Sequence, residues 1–247
     1  MEQKVSASPT GMNSLPMDGA TIDALKRAAG YRAAEYVRSD TAIGLGSGST
    51  ARYATLRIAE RLREGSLRGI VAVPTSEETA ALARQEGIPL TDLAERPCLD
   101  VTIDGADEVD PDLQLIKGLG GALLREKIVA HATRREIIVV DEGKLVERLG
   151  TRSPVPVEVI RFGWQNTMRS LEQTGARCAL RLTRGAPFGT DEGNLIVDCT
   201  YPGIDDPVAL EREINNIPGV VENGLFLGIA YAVVVASPGG VRNLERG

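Results

Sequence analysis

The sequence predicts an α/β protein carrying a smaller α+β unit, on three observations. Short apolar runs alternate with stretches whose apolar residues recur at helical spacing over residues 22–141. Two of those runs end directly in glycine-rich turns. Beyond Pro154 the alternation gives way to a different pattern, with strands joined by a hairpin turn.

Taken in order, residues 1–18 are rich in Ser, Pro, Gly and Met and read as a flexible tail or short extension. Residues 22–37 form an amphipathic helix. Residues 41–45 are strand-like, Gly46-Ser47-Gly48-Ser49-Thr50 turns the chain, and 51–63 return to helical spacing. A strand at 69–73 precedes a helix over 76–86 that opens on Ser76 with acids in its first turn. A short strand is expected at 88–90, a central strand at 101–103, a helix over 123–133 and a buried strand over 136–141. Strands alternating with helices imply parallel pairing and right-handed crossovers.

Past Pro154 the reading is strand 156–160, helix 163–174, strand 178–183, a hairpin turn at 190–194, strand 195–198, helix 209–216 and a brief strand 220–222. That order is βαββαβ, an antiparallel sheet with two helices of the ferredoxin-like kind. Residues 225–236 are apolar and strand-rich and are expected to return to the first unit.

Composition narrows the function classes. With 247 residues and 43% hydrophobic content, the chain can bury one large core or two modest ones. A net charge of −6 and the lack of a Lys/Arg run argue against nucleic acid as a partner. Cys98, Cys178 and Cys199 are the three cysteines; with no CxxC spacing they read as ordinary thiols in a reducing, cytoplasmic setting. His131 is the one histidine, which leaves no basis for a His-built metal site or a Ser-His-Asp triad. No apolar run reaches membrane-spanning length, and the N-terminus has no signal-peptide core.

The chemistry concentrates after residues 99–103. Asp104-Gly105-Ala106-Asp107-Glu108, then Lys117-Gly118-Leu119-Gly120-Gly121-Ala122, then Arg125-Glu126-Lys127 bring carboxylates, cations and glycines together. A strand that ends in charge and runs into glycine presents catalytic groups at the carboxyl edge of a sheet. Glycine at 118, 120 and 121 implies a backbone that turns sharply or lies against a ligand. The Gly46–Thr50 turn, set between strand and helix, has the makings of an anion cradle of N–H groups, hydroxyls and helix dipole. It is neither the Walker sequence nor the dinucleotide fingerprint. A plain helix cap by Ser49 or Thr50 remains the alternative. Read alone, Glu126 is equally a surface glutamate balanced by Arg125 and Lys127, and Asp104 and Asp107 equally members of an Asx turn.

These blocks carry a resemblance. Residues 44–50, 104–108, 117–127, Val140-Asp141-Glu142-Gly143-Lys144, Pro154-Val155-Pro156-Val157-Glu158-Val159 and 209–225 (ALEREINNIPGVVENGL) resemble the A-type ribose-5-phosphate isomerases, in that family's order and at similar spacing. The resemblance runs from about residue 20 to the end. It implies a Rossmann-like parallel-sheet domain (19–154), a smaller ferredoxin-like lid (155–224) inserted before the last strand, and a return segment (225–247). It also implies interconversion of ribose 5-phosphate and ribulose 5-phosphate through an enediolate, in the non-oxidative pentose phosphate pathway, with no cofactor and no metal, by a homodimer or homotetramer.

Matched position by position, the general base falls on Glu126, the ring-opening and oxygen-proton group on Asp104, and the catalytic lysine on Lys117. Substrate-binding positions fall on Ser47, Gly48, Ser49, Thr50, Asp104, Gly105, Ala106, Asp107, Lys117, Gly118, Leu119, Gly120 and Lys144, with Lys26 as a further phosphate cation. Glu108 reads as a loop anchor. Ser47 stands where some relatives have Thr, and Leu119 interrupts what is often a run of glycines. The competing reading is a non-catalytic sugar-phosphate sensor on a related scaffold. That reading calls for an attached DNA-binding module and a missing base, whereas Glu126, Asp104 and Lys117 are all present and the first twenty residues leave no room for a helix-turn-helix. A CoA- or folate-handling relative does not account for the 117–127 block.

Overall fold

The computed structural model describes residues 19–245, so the tail reading for 1–18 lies outside the described residues. In chain order the first half runs α1 (Gly19–Ala33), β1 (Ala42–Leu45), α2 (Ala51–Arg63), β2 (Val71–Pro74), α3 (Glu77–Gln85), β3 (Val101–Gly105), β4 (Glu108–Val109), β5 (Leu115–Ile116), α4 (Leu123–His131) and β6 (Glu136–Asp141). The second half runs β7 (Val155–Val159), α5 (Trp164–Gln173), β8 (Arg177–Leu180), β9 (Leu182–Thr183), β10 (Ala186–Pro187), β11 (Leu195–Thr200), α6 (Pro207–Asn215), β12 (Val220–Asn223), β13 (Leu225–Phe226), β14 (Ala230–Ser237) and β15 (Gly240–Glu245).

The main sheet has the order β15-β14-β6-β3-β1-β2. All its neighbours pair in parallel except the edge pair β14–β15, which is antiparallel. Its parallel strands follow the doubly wound order 2-1-3-4-5, whose direction reverses between β1 and β3. Their burial is continuous, as a sheet covered on both faces requires: β1 is buried along its whole length, as are all but the last residues of β3 and β6. Ala29 and Ala33 of α1 and Ala54 and Ile58 of α2 pack with Ile43, Leu45, Ile137 and Val139 on one face. On the other, Val129 and Ala130 of α4 meet Ala42 and Ile138.

The second sheet is wholly antiparallel, with order β12-β7-β11-β8. Numbered within its own βαββαβ unit this is 4-1-3-2, with α5 and α6 contributing Leu171, Leu210 and Ile214 to a core of its own. A three-stranded patch, β13-β5-β4, lies between the two.

Several expectations are corrected in detail. The first helix ends at Ala33 and passes into a 3-10 turn over Ala34–Tyr36, short of residue 37. Residues 88–90 form only a bridge, Leu90 to Ala72, because the chain turns away after one residue. The run 178–183 is interrupted at Arg181, where the backbone changes partner: its N–H donates to Ile196 O of β11 at 2.8 Å, while its carbonyl accepts from Phe188 N at 2.9 Å. Three strands follow the smaller sheet: β13 joins the three-stranded patch, β14 joins the main sheet, and Gly240–Glu245 folds back on β14 as its antiparallel edge. Ser76 does cap α3, its Oγ accepting from Thr79 N at 3.1 Å, whereas Thr50 precedes α2 with no side-chain capping bond.

Candidate active site

The reversal of strand order puts the loops after β1 and β3 side by side at the carboxyl edge. Gly46 N donates to Ile103 O at 2.9 Å, and Ser47 N to Asp104 Oδ1 at 3.0 Å. Gly46 has to be glycine for steric reasons: a Cβ there would lie 2.3 Å from Asp104 Oδ1 and 2.4 Å from its Cα. Above this junction opens a cavity of about 580 Å³, of a size suited to a small ligand.

Lys26, Ser47, Gly48, Ser49, Thr50, Gly105, Ala106, Asp107, Lys117, Gly118, Gly120, Glu126 and Lys144 all line the cavity. Asp104 lies directly beneath, fully buried. Leu119 is the one predicted residue turned away, with its side chain 40% exposed to solvent. Its main chain still belongs to the site, since Leu119 N donates to Asp107 Oδ2 at 2.9 Å. Ser47 also contributes main chain rather than hydroxyl: its Oγ bonds Thr75 Oγ1 (2.8 Å) and Ser76 Oγ (2.7 Å) at the root of α3. Lys26 reaches the cavity from α1 and Lys144 from the 3-10 turn after β6, where Asp141 Oδ1 accepts from Gly143 N at 3.0 Å. Glu108 faces the other way and holds the linker to the second sheet, accepting from Gly150 N and Arg152 N, each at 2.7 Å.

The chemical centre is Lys117. Its ammonium lies 2.9 Å from Asp104 Oδ2 and 3.4 Å from Glu126 Oε2, and it donates to Gly105 O at 2.5 Å. The lysine backbone is fixed where the chain returns from the second sheet: Lys117 N donates to Gly224 O at 2.9 Å, and a Cβ at Gly224 would lie 2.3 Å from Lys117 O. Burial favours loss of the Lys117 proton, but Asp104, Glu126 and Glu136 outweigh it and hold the ammonium well above its ordinary range. Burial raises the Asp104 carboxyl, against the attraction of Lys117 and the N–H groups of Gly105 and Ser47. Burial likewise pushes Glu126 up to about 8, with Lys117 opposing and Asp104 and Asp107 adding to the rise. Glu126 lines the cavity from the first turn of α4, with Oε2 buried beside Lys117 Nζ and given no other partner. The site thus pairs a lone-pair-bearing carboxylate with a fixed cation and a second carboxylate, equipment for moving a proton on carbon and stabilising the anion that results.

The family model for ribose 5-phosphate isomerase A (phosphoriboisomerase A) matches residues 71–240. The ribose-5-phosphate isomerase A of Roseiflexus castenholzii is 55% identical over 221 residues, covering 89% of this chain and 94% of the relative. That of Thermococcus kodakarensis is 43% identical over 91% of this chain and 99% of its own. The chain belongs to the ribose 5-phosphate isomerase A family. The solved ribose 5-phosphate isomerase A of Methanocaldococcus jannaschii superposes with a TM-score of 0.86 at 42% identity, over 90% of this chain and 99% of that one. A D-ribose-5-phosphate isomerase solved in complex with phospho-erythronic acid superposes at 0.89 with 43% identity, over 91% of this chain and 99% of that one.

Within the family framework the structure adds residues that the sequence reading passed over. Glu136, at the start of β6, is buried and neither of its carboxyl oxygens has a hydrogen-bond partner. Its register partner on β3 is Thr102, two residues before Asp104 and on the same face of the sheet. Burial, then the charge of Asp104, raise its carboxyl well above the ordinary range. Phe226 lies against both lysines, its ring centroid 5.2 Å from Lys117 Nζ and 4.9 Å from Lys127 Nζ. An acid opening the apolar run 137–140 was the available signal for Glu136; nothing local marks Phe226.

Proposed function

We propose that the protein interconverts ribose 5-phosphate and ribulose 5-phosphate, with Glu126 as the base. The observation that carries the reading is the buried Asp104–Lys117–Glu126 constellation opening into a cavity rimmed by Lys26, Lys144 and the Gly46–Thr50 turn. Glu126 removes the proton from C2 and returns it to C1. Asp104 serves the matching transfer between O2 and O1 and the opening of the sugar ring. Lys117 and the loop N–H groups stabilise the enediolate. The phosphate lies at the Gly48–Thr50 end, where main-chain N–H groups, the start of α2, Lys26 and Lys144 supply positive potential within a chain of net charge −6.

The same reading treats 19–154 with 225–247 as the catalytic domain and 155–224 as a lid, since the four-stranded sheet draws only on Val155–Asn223. It places the enzyme in the non-oxidative pentose phosphate pathway, as a cytoplasmic homodimer or homotetramer. Among the described residues no helix is long and apolar enough to cross a membrane.

The deciding experiment measures ribulose 5-phosphate formation from ribose 5-phosphate with EDTA present, for the wild type and Glu126→Gln. The expected result is EDTA-insensitive turnover that falls by about 10³-fold or more in the variant. In the wild type, kcat/KM should drop below about pH 8 as Glu126 takes up its proton. Undiminished turnover in Glu126→Gln would remove Glu126 from the role of base.

A further inference from the structure

The glycine loop after Lys117 is gripped from the side of the second sheet. Arg181 sits between β8 and β9 and forks onto Asp198 of β11, with Nε 2.9 Å from Oδ2 and Nη2 on Oδ1. That bidentate pairing fixes the plane of the guanidinium. Its remaining nitrogen, Nη1, donates to the carbonyls of Gly118 (3.0 Å) and Leu119 (2.9 Å). Phe188 lies under the guanidinium at 5.9 Å and against Gly121, where a Cβ would fall 2.4 Å from the ring. The loop is therefore held on one side by Arg181 and Phe188 and on the other by Asp107, which takes the Leu119 N–H.

Peptide geometry gives this grip a chemical consequence. In a planar trans peptide the carbonyl and the following N–H point in opposite directions, and the described residues contain no cis bond. With the Leu119 carbonyl turned to Arg181, the Gly120 N–H is turned away from it. Gly120 lines the cavity, and its N–H has no partner among the described residues. We propose that Arg181 is a positioning residue for the isomerisation: holding the Leu119 carbonyl, it presents the Gly120 N–H to the enediolate oxygen. The inference rests on the isomerase reading of the cavity. Arginine is needed because a lysine offers one point charge, which cannot fork onto Asp198 and also hold two carbonyls.

The test compares wild type, Arg181→Lys and Asp198→Asn in ribose 5-phosphate turnover, with Tm and the inhibition constant of phospho-erythronic acid measured alongside. The carboxylate of that compound offers anionic oxygens to the same donors as the enediolate. Expected is a kcat lower by about 10- to 100-fold in both variants, with KM changed by less than about threefold. The inhibition constant should rise by about the factor by which kcat/KM falls. Asp198→Asn keeps Arg181 and loosens only the fork, so it reads the same alignment if Arg181→Lys does not fold. An unchanged kcat in a folded variant, or a raised KM at constant kcat, overturns the positioning role. A wild type that turns over no substrate removes the isomerase reading and this inference with it. Normal wild-type turnover beside unaffected variants removes this inference alone.

Discussion

Four buried ionisable side chains, Asp104, Lys117, Glu126 and Glu136, share one region of low dielectric, and three of them are acids. Lys117 contacts two of the acids directly, while Glu136 has no hydrogen-bond partner for either oxygen. Burying an unpaired charge costs more than burying a neutral acid, so Glu136 holds its proton more tightly in the folded state than in the unfolded one. A folded-state pKa raised in this way gives stability that is fully present below the unfolded carboxyl range and is lost as pH rises through the folded value. Glu136→Gln, which keeps the shape and removes the ionisation, is therefore expected to raise Tm by roughly 2–6 °C near pH 8–9, and by much less near pH 5. Thermal melts across that range check it, and an equal gain at both ends would show that folding leaves the Glu136 carboxyl at its unfolded value. At this scale the sequence pointed to Asp104, Lys117 and Glu126 through the blocks that resemble the family. It did not disclose Glu136, because its neighbours come from β3 and from the lysine loop rather than from its own strand.

Along α4, three consecutive charged residues point in three directions, as a helix turning about 100° per residue requires. Arg125 spans Glu77 (2.9 Å), Glu192 (2.6 Å) and Asp191 (3.6 Å), joining α3 to the 190–194 hairpin. Glu126 faces the cavity. Lys127 is buried and donates to Glu222 Oε1 (2.8 Å) and Asn223 O (2.7 Å) beside β12. Neither cation neutralises Glu126, so the surface-glutamate alternative for the 125–127 triplet fails on geometry; each ties the helix to the second sheet instead. The energetics of the two ties should differ. Lys127→Met leaves Glu222 and a buried carbonyl without their cation and is expected to cost about 2–4 kcal/mol. Arg125→Met removes a network that is largely open to solvent and should cost under about 1 kcal/mol. Urea unfolding at equilibrium separates these, and comparable losses would refute the distinction. Elements with strong periodicity, such as α2 over Ala51–Arg63, were legible from the sequence. The break at Arg181 was not, because it marks an exchange of backbone partners, Ile196 for Phe188, that no local pattern signals.

Over the whole molecule, the chain leaves the parallel sheet after β6, builds the antiparallel sheet, and returns at Gly224 against the backbone of Lys117. Protection from amide exchange should follow burial. We expect β3, β6 and β14, in the middle of the main sheet and buried along most of their length, to exchange slowest, and the exposed hairpin of β9 and β10 to exchange within the earliest time points. Exchange mass spectrometry tests this, and a slow 182–187 segment would contradict it. The sequence by itself determined the kind of fold through hydrophobic period and glycine turns, and, through the blocks that resemble the family, which acids and cations to look for, because all of these are local properties of the chain. Only the tertiary structure decided which way each side chain faces: Ser47 Oγ into the α3 root, Glu108 onto the linker, Glu136 into the charged centre, Arg181 onto the glycine loop. Those choices depend on strand order and on the return at Gly224, which juxtapose residues far apart in the chain, and no local pattern encodes a juxtaposition.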